Sequence, residues 1–108
     1  MYASIRRYKV ESKSVGEVFR QANEGFVPSI SKVPGFVGYY GLDAGNGALV
    51  TISLFNNQTG AKESERLAAE WVGKNISHLI PTPPEITAGE VGMHKASDPQ
   101  QAGSVRAG

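Results

Sequence analysis

Residues 33–55, VPGFVGYYGLDAGNGALVTISLF, constrain the fold of this chain more than any other stretch. Two runs rich in Val, Ile, Thr, Tyr and Phe flank Asp43-Ala44-Gly45-Asn46-Gly47, whose glycines and Asn supply the positive φ of a tight reversal. The stretch therefore reads as a β-hairpin. Pro34-Gly35 ends whatever precedes it, because proline fixes its own φ and restricts the residue ahead of it. With the turn centred on residues 45–46 or 46–47, Tyr40 faces Thr51 or Ser53 across the hairpin. Tyr40 and Leu42 then share a face with Thr51 and Ser53, and Val37, Tyr39 and Gly41 share the other with Val50, Ile52 and Leu54. The second of these faces is apolar. The first mixes hydroxyls with aromatics, and a functional site is expected there.

The rest of the chain supplies partners for the hairpin. Tyr2 to Val10 reads as a strand, with Ala3 and Ile5 pointing one way and Ser4, Arg6 and Tyr8 the other. Ser14-Val15-Gly16-Glu17 matches a capping box, and Val15, Val18, Phe19 and Ala22 follow at helical spacing. The apolar stripe resumes at Phe26, Val27 and Ile30, but Gly25 and Pro28 interrupt it, so a kink or two short helices is expected. After the hairpin, the polar run 56–59 offers N-cap side chains for a helix over residues 59–76. Ala61, Ala68, Trp71, Val72 and Ile76 form its buried side, and Pro81-Thr82-Pro83-Pro84 closes it. Residues 86–95 read as a last strand, with Val91 and Met93 on one face and Glu90 and His94 on the other. The order strand, helix, strand, strand, helix, strand is the α+β, ferredoxin-like βαββαβ pattern. Right-handed crossovers put both helices on one face of a four-stranded antiparallel sheet. Residues 1–95 make one domain, and residues 96–108 read as a flexible tail with too little apolar surface to order itself.

Composition excludes several classes of function. The 11 basic residues against 10 acidic ones leave a net charge of +1, too weak a field to track a phosphate backbone, so no nucleic acid is expected. The chain has no cysteine, which removes disulfides, thiol nucleophiles and thiolate metal sites. No run approaches the roughly 20 apolar residues of a membrane span, and MYASIRRYKV has no apolar leader core, so a soluble, cytoplasmic protein is expected. The two histidines and the scattered carboxylates show no metal-ligand spacing, and no metal is expected.

Apolarity suggests which face of the sheet the helices cover: Ile5, Val37, Tyr39, Val50, Ile52, Leu54, Val91 and Met93. The uncovered face would then carry Ser4, Arg6, Tyr8, Phe36, Tyr40, Leu42, Leu49, Thr51, Ser53, Phe55, Glu90 and His94. That face holds too much apolar area for a solvated surface. A second copy stacked sheet to sheet would bury the aromatics and enclose the polar groups, so a homodimer with a central cavity is expected.

The VPGF entry into a Tyr-containing strand, the Thr/Ser-alternating strand ending at Phe55, and the helix with Glu63, Ala68-Ala69 and Trp71 resemble the antibiotic-biosynthesis monooxygenase (ABM) domains. These belong to the dimeric α/β-barrel superfamily, and the resemblance spans roughly residues 1–95. It implies a dimeric α/β barrel, with activities that include cofactor-independent oxygenation of polycyclic phenols and quinols, and haem degradation. For the first activity, an apolar pocket must hold a substrate anion beside a cation or donor and a base. Arg6 could stabilise the anion, His94 could take the proton, and Tyr8 and Tyr40 could orient the ring. Ser4, Phe36, Thr51, Ser53, Phe55, Trp71 and Glu90 would complete the substrate pocket. The rival reading pairs Arg6 with Glu90, leaves the tyrosines as filling and Trp71 as core, and makes the protein a non-catalytic ligand-binding or structural dimer. The haem-degrading relatives place an Asn on the first strand, where this chain has Ser4, Arg6 and Tyr8, and His78 is the one helical ligand available to haem. No cofactor is therefore expected.

Overall fold

The computed structural model describes residues 1–97. Strand β1 (Tyr2–Lys9) leads through a 3₁₀ turn at Ser12–Ser14 into helix α1 (Val15–Gln21). A π-helical turn (Ala22–Phe26) joins α1 to α2 (Val27–Ile30). Then come the hairpin strands β2 (Phe36–Gly45) and β3 (Ala48–Phe55), helix α3 (Gln58–Asn75) and strand β4 (Glu85–Glu90). The strands form one four-stranded sheet in the order β2-β3-β1-β4, antiparallel throughout. This is the expected ferredoxin-like α+β topology. No helix among the described residues is long and apolar enough to cross a membrane.

The first helical layer is broken where Gly25 and Pro28 stand. Its start differs from the capping box expected: Ser14 already has helical φ and ψ, and its side chain caps nothing. Glu17 is engaged instead by Arg20 at 2.6 Å and Gln21 at 2.8 Å. At the start of α3 the expectation holds, as the Asn57 side chain accepts the Gly60 N–H at 2.8 Å.

The hairpin reverses through Gly45, Asn46 and Gly47, all with positive φ (87°, 55° and 78°). Its register differs from both expected ones by a single residue. Tyr40 faces Ile52, Leu42 faces Val50, Tyr39 faces Ser53 and Gly41 faces Thr51. Irregularities between Phe36 and Gly38 and between Asp43 and Gly45 produce this shift. Because side chains alternate, one residue of slip moves Tyr40 and Leu42 to the face opposite Thr51 and Ser53.

The helices also cover the face expected to be open. Ser4, Arg6 and Tyr8 of β1 and Leu49, Ser53 and Phe55 of β3 are buried, and each residue between them is half-buried or exposed, except buried Ala48 at the start of β3. Tyr8 and Leu49 pack with Val15, Val18 and Ile76, while Phe55 packs with Phe26, Ile30, Ala61 and Ala68. Ile5, Val50, Ile52 and Leu54, expected beneath the helices, lie on the open face and are half-buried there. Tyr40 and Leu42 stand beside them, exposed at 57% and 48%. The physical reason lies in volume. The large aromatics that fill the space under two helices sit in phase with the polar residues of the sheet, and the polar groups follow them inward.

β4 is shorter than expected. It ends at Glu90, after which the Val91 N–H donates to the Met1 carbonyl at 2.8 Å. Met93 and His94 lie beyond the strand, both exposed. Of the tail predicted over 96–108, residues 98–108 lie outside the described residues.

Candidate functional site

Two cavities lie between the helices and the sheet, within a single copy of the chain. The larger, about 560 Å³, is walled by Val18, Phe19 and Phe26 on the first helical layer and Trp71, Val72 and Ile76 on or just after α3. Its sheet side carries Tyr8, Tyr39, Leu49 and Thr51, and exposed Gly16, Arg20 and Asn23 stand where it meets solvent. Phe26 meets the Tyr39 ring edge-on at 5.5 Å and the Trp71 ring at 5.9 Å. Two glycines make room for these walls. A Cβ on Gly25 would come within 2.9 Å of the Trp71 indole nitrogen, and one on Gly41 would come within 2.9 Å of the Phe19 ring. The π-helical turn contributes Ala22, Asn23 and Phe26 to the cavity, and such turns recur at binding sites because they re-aim side chains.

Behind the sheet-side wall lies Arg6, only 1% exposed. Its Nη2 donates to Ser53 Oγ at 3.2 Å, while Nε and Nη1 have no hydrogen-bond partner. Among the described residues no carboxylate pairs with it. The Thr51 hydroxyl beside it is likewise buried and unpartnered. Burial raises the Tyr39 phenol above its ordinary pKa of 10, against the opposing pull of the Arg6 charge, so Tyr39 remains a hydrogen-bond donor at neutral pH. An apolar chamber with a phenol and a hydroxyl on its sheet side, and a buried cation behind them in the adjoining cavity, suits a flat aromatic with an acidic oxygen at one end.

The residues singled out in the sequence divide sharply. Arg6, Tyr8, Thr51 and Trp71 line the cavities on the helix side of the sheet, and Ser53 and Ser4 stand behind them, hydrogen-bonded to Arg6 and Glu65. Ser4 donates to Glu65 of α3 at 2.7 Å. Phe36 and Phe55 pack edge-to-face at 5.8 Å in the core and line neither cavity. Tyr40 stands on the open face, removed from all of these. Glu90 pairs with the chain's own amino group at 3.0 Å rather than with Arg6, because its register partner on β1 is Tyr2. His94 is exposed past the end of β4 and meets none of the site residues. Tyr39, Phe26 and Glu65 were not anticipated as site residues. Gly41 beside Tyr40 was the available signal, since a glycine in a strand often marks a close approach from above.

The fold, a four-stranded antiparallel sheet under helices, is one that this chain shares with solved structures of monooxygenases. Among solved structures, this chain is similar to a protein of Nitrosomonas europaea assigned as an antibiotic biosynthesis monooxygenase (TM-score 0.68, 14% identity, 86% of this chain and 100% of that one). It is similar also to the monooxygenase from the ActVA-Orf6 gene of Streptomyces coelicolor, solved with nanaomycin D (TM-score 0.70, 16% identity, 89% and 92%). A third is a mutant of MhuD with two manganese protoporphyrin IX bound per active site (TM-score 0.70, 15% identity, 90% and 100%). No family model matches the sequence, and no curated protein is similar to it at a significant level.

Haem does not fit the residues present. His78 lies in the exposed turn after α3. Neither histidine lines a cavity. Among the described residues no three His, Asp or Glu side chains converge as a metal site.

Proposed function

We propose that this protein is a monooxygenase that acts on a quinol- or anthrone-like aromatic inside the larger cavity. The supporting observation is the pairing of an aromatic-walled chamber with Tyr39 and Thr51 at its sheet side, with the buried Arg6 behind them in the adjoining cavity. Such a substrate becomes reactive toward O₂ once it has lost a proton and become an electron-rich anion. Tyr39 donates a hydrogen bond to the developing oxyanion, and the Arg6 charge behind it lowers the energy of that anion. The proton passes to water at the cavity mouth. In an anthrone the CH₂ becomes C=O, and in a quinol a ring C–H becomes C–OH as the ring is oxidised to the quinone; in both, one atom of O₂ enters the product and the other leaves as water with two hydrogens of the substrate. The substrate supplies all the electrons, so no reductant and no organic or metal cofactor enters the balance.

Oxygen uptake over a panel of quinols and anthrones tests this reading. Wild-type protein is expected to consume O₂, and Tyr39→Phe is expected to slow turnover by about 100- to 1000-fold, the range for loss of one oxyanion donor. No uptake on any member, or equal rates in wild type and Tyr39→Phe, would overturn it. One observation favours a second reading. Among the described residues no carboxylate or imidazole lines the larger cavity, which favours a chamber that binds an aromatic without transforming it. Saturable binding without oxygen uptake would select that reading.

The open face supports a homodimer. Tyr40 and Leu42 stand there exposed beside Ile5, Val50, Ile52 and Leu54, a continuous apolar surface that a second copy would cover. In this arrangement the dimer buries the sheet, and each copy keeps its own cavity.

A further inference from the structure

The second cavity, about 420 Å³, lies under Pro81-Thr82-Pro83-Pro84, between α3 and the β1–β4 edge of the sheet. It adjoins the larger cavity at Tyr8, Val72 and Ile80, which line both. Arg6 stands at its inner end. A guanidinium that is 1% exposed and gives only one hydrogen bond, to a neutral hydroxyl, is costly to keep in a dry interior. Among the described residues no carboxylate pairs with it to offset that cost. Glu65 lines the same cavity, but its Oε2 accepts the Ser4 hydroxyl at 2.7 Å and makes no ion pair with Arg6.

We propose that this second cavity is a subsite for a carboxylate carried by the aromatic ligand, with Arg6 as its recognition group. The proposal rests on the larger cavity holding that ligand's aromatic part. A carboxylate matches the planar guanidinium and brings a single negative charge. A phosphate dianion would be repelled more strongly by Glu65 in the same space. Ile86, half-exposed at 51%, and Glu65 are the side chains that give way as the carboxylate enters.

Calorimetric titration of the whole chain with naphthoate and with its methyl ester tests the subsite. The acid is expected to bind at least about tenfold tighter than the ester, as a charge-assisted hydrogen bond in a buried site provides. Arg6→Met is expected to abolish that preference and Arg6→Lys to restore part of it. Glu65→Gln removes the repelling carboxylate while leaving Arg6 in place, so it should tighten the acid several-fold and leave the ester unchanged. Equal binding of acid and ester by wild type, or failure of both to bind, overturns the proposal. Should Arg6→Met fail to fold, Glu65→Gln decides: an acid affinity it does not move overturns the subsite. Acid preference without oxygen uptake keeps the subsite and removes the oxygenase reading. Oxidation of neutral quinols without acid preference does the reverse.

Discussion

At the scale of single residues, the absence of a side chain at Gly25 lets the Trp71 indole close the cavity. Gly25→Ala would drive a methyl to within 2.9 Å of the indole nitrogen and 3.1 Å of Cζ2. Overpacking of this kind costs about 1–3 kcal/mol. Urea denaturation should show that loss, with a shifted Trp emission in the folded state, and an unchanged midpoint and spectrum would refute the contact. Gly16→Ala on α1 is the contrast. A Cβ there meets nothing within 4 Å, so the substitution should stabilise by about 0.5–1 kcal/mol through helix propensity alone. A pH effect belongs here too. Hydrogen bonds from Arg20, and then from Gln21, lower the Glu17 carboxyl from 4.5 to about 2. A carboxyl depressed in the folded state contributes stability above pH 4.5, and that contribution disappears as pH falls through 2. Being fully exposed, the pair is screened by salt. An NMR titration should place the Glu17 midpoint near 2, and Arg20→Ala should return it most of the way to 4.5.

At the scale of elements, two devices hold the helices and strands where the cavities need them. The Asn57 cap starts α3 at the end of β3, which positions Trp71 and Val72 over the sheet. Asn57→Ala should cost about 1 kcal/mol, and Asn57→Asp should recover it, read from thermal midpoints. The Gly47 turn ties the hairpin back to β1, with the Val10 N–H donating to its carbonyl at 2.8 Å. A Cβ on Gly47 would run into the Val10 carbonyl oxygen, and its φ is +78°. Gly47→Ala should therefore cost about 3 kcal/mol, well beyond the effect at an unhindered glycine such as Gly45. Both devices were legible in the sequence, because caps and turns depend on residue type at one position. The β2 irregularities were not: nothing in the residues 36–38 states that the strand will gain a residue there.

At the scale of the whole molecule, the proposed homodimer is tested at the open sheet face. Leu42→Glu together with Ile52→Lys places charges on that face without touching either cavity. Sedimentation should then change from dimer to monomer, and a wild-type chain that sediments as a monomer refutes the homodimer. Element order, hairpin, broken first helix and capped α3 were all determined by the sequence alone, since each follows from local pattern and turn chemistry. So was the grouping of Ser4, Arg6 and Tyr8 with Thr51 and Ser53, which strand alternation enforces. Which side of the sheet that group occupies was decided only by tertiary structure. Both faces mix apolar and polar residues, so apolarity could not choose between them. The choice fell to packing volume under the helices and to a one-residue slip in β2, which sent Tyr39 inward and Tyr40 out. The candidate site thus lies not in the space between two copies but in the interior of one, with Arg6 on its helix-covered side.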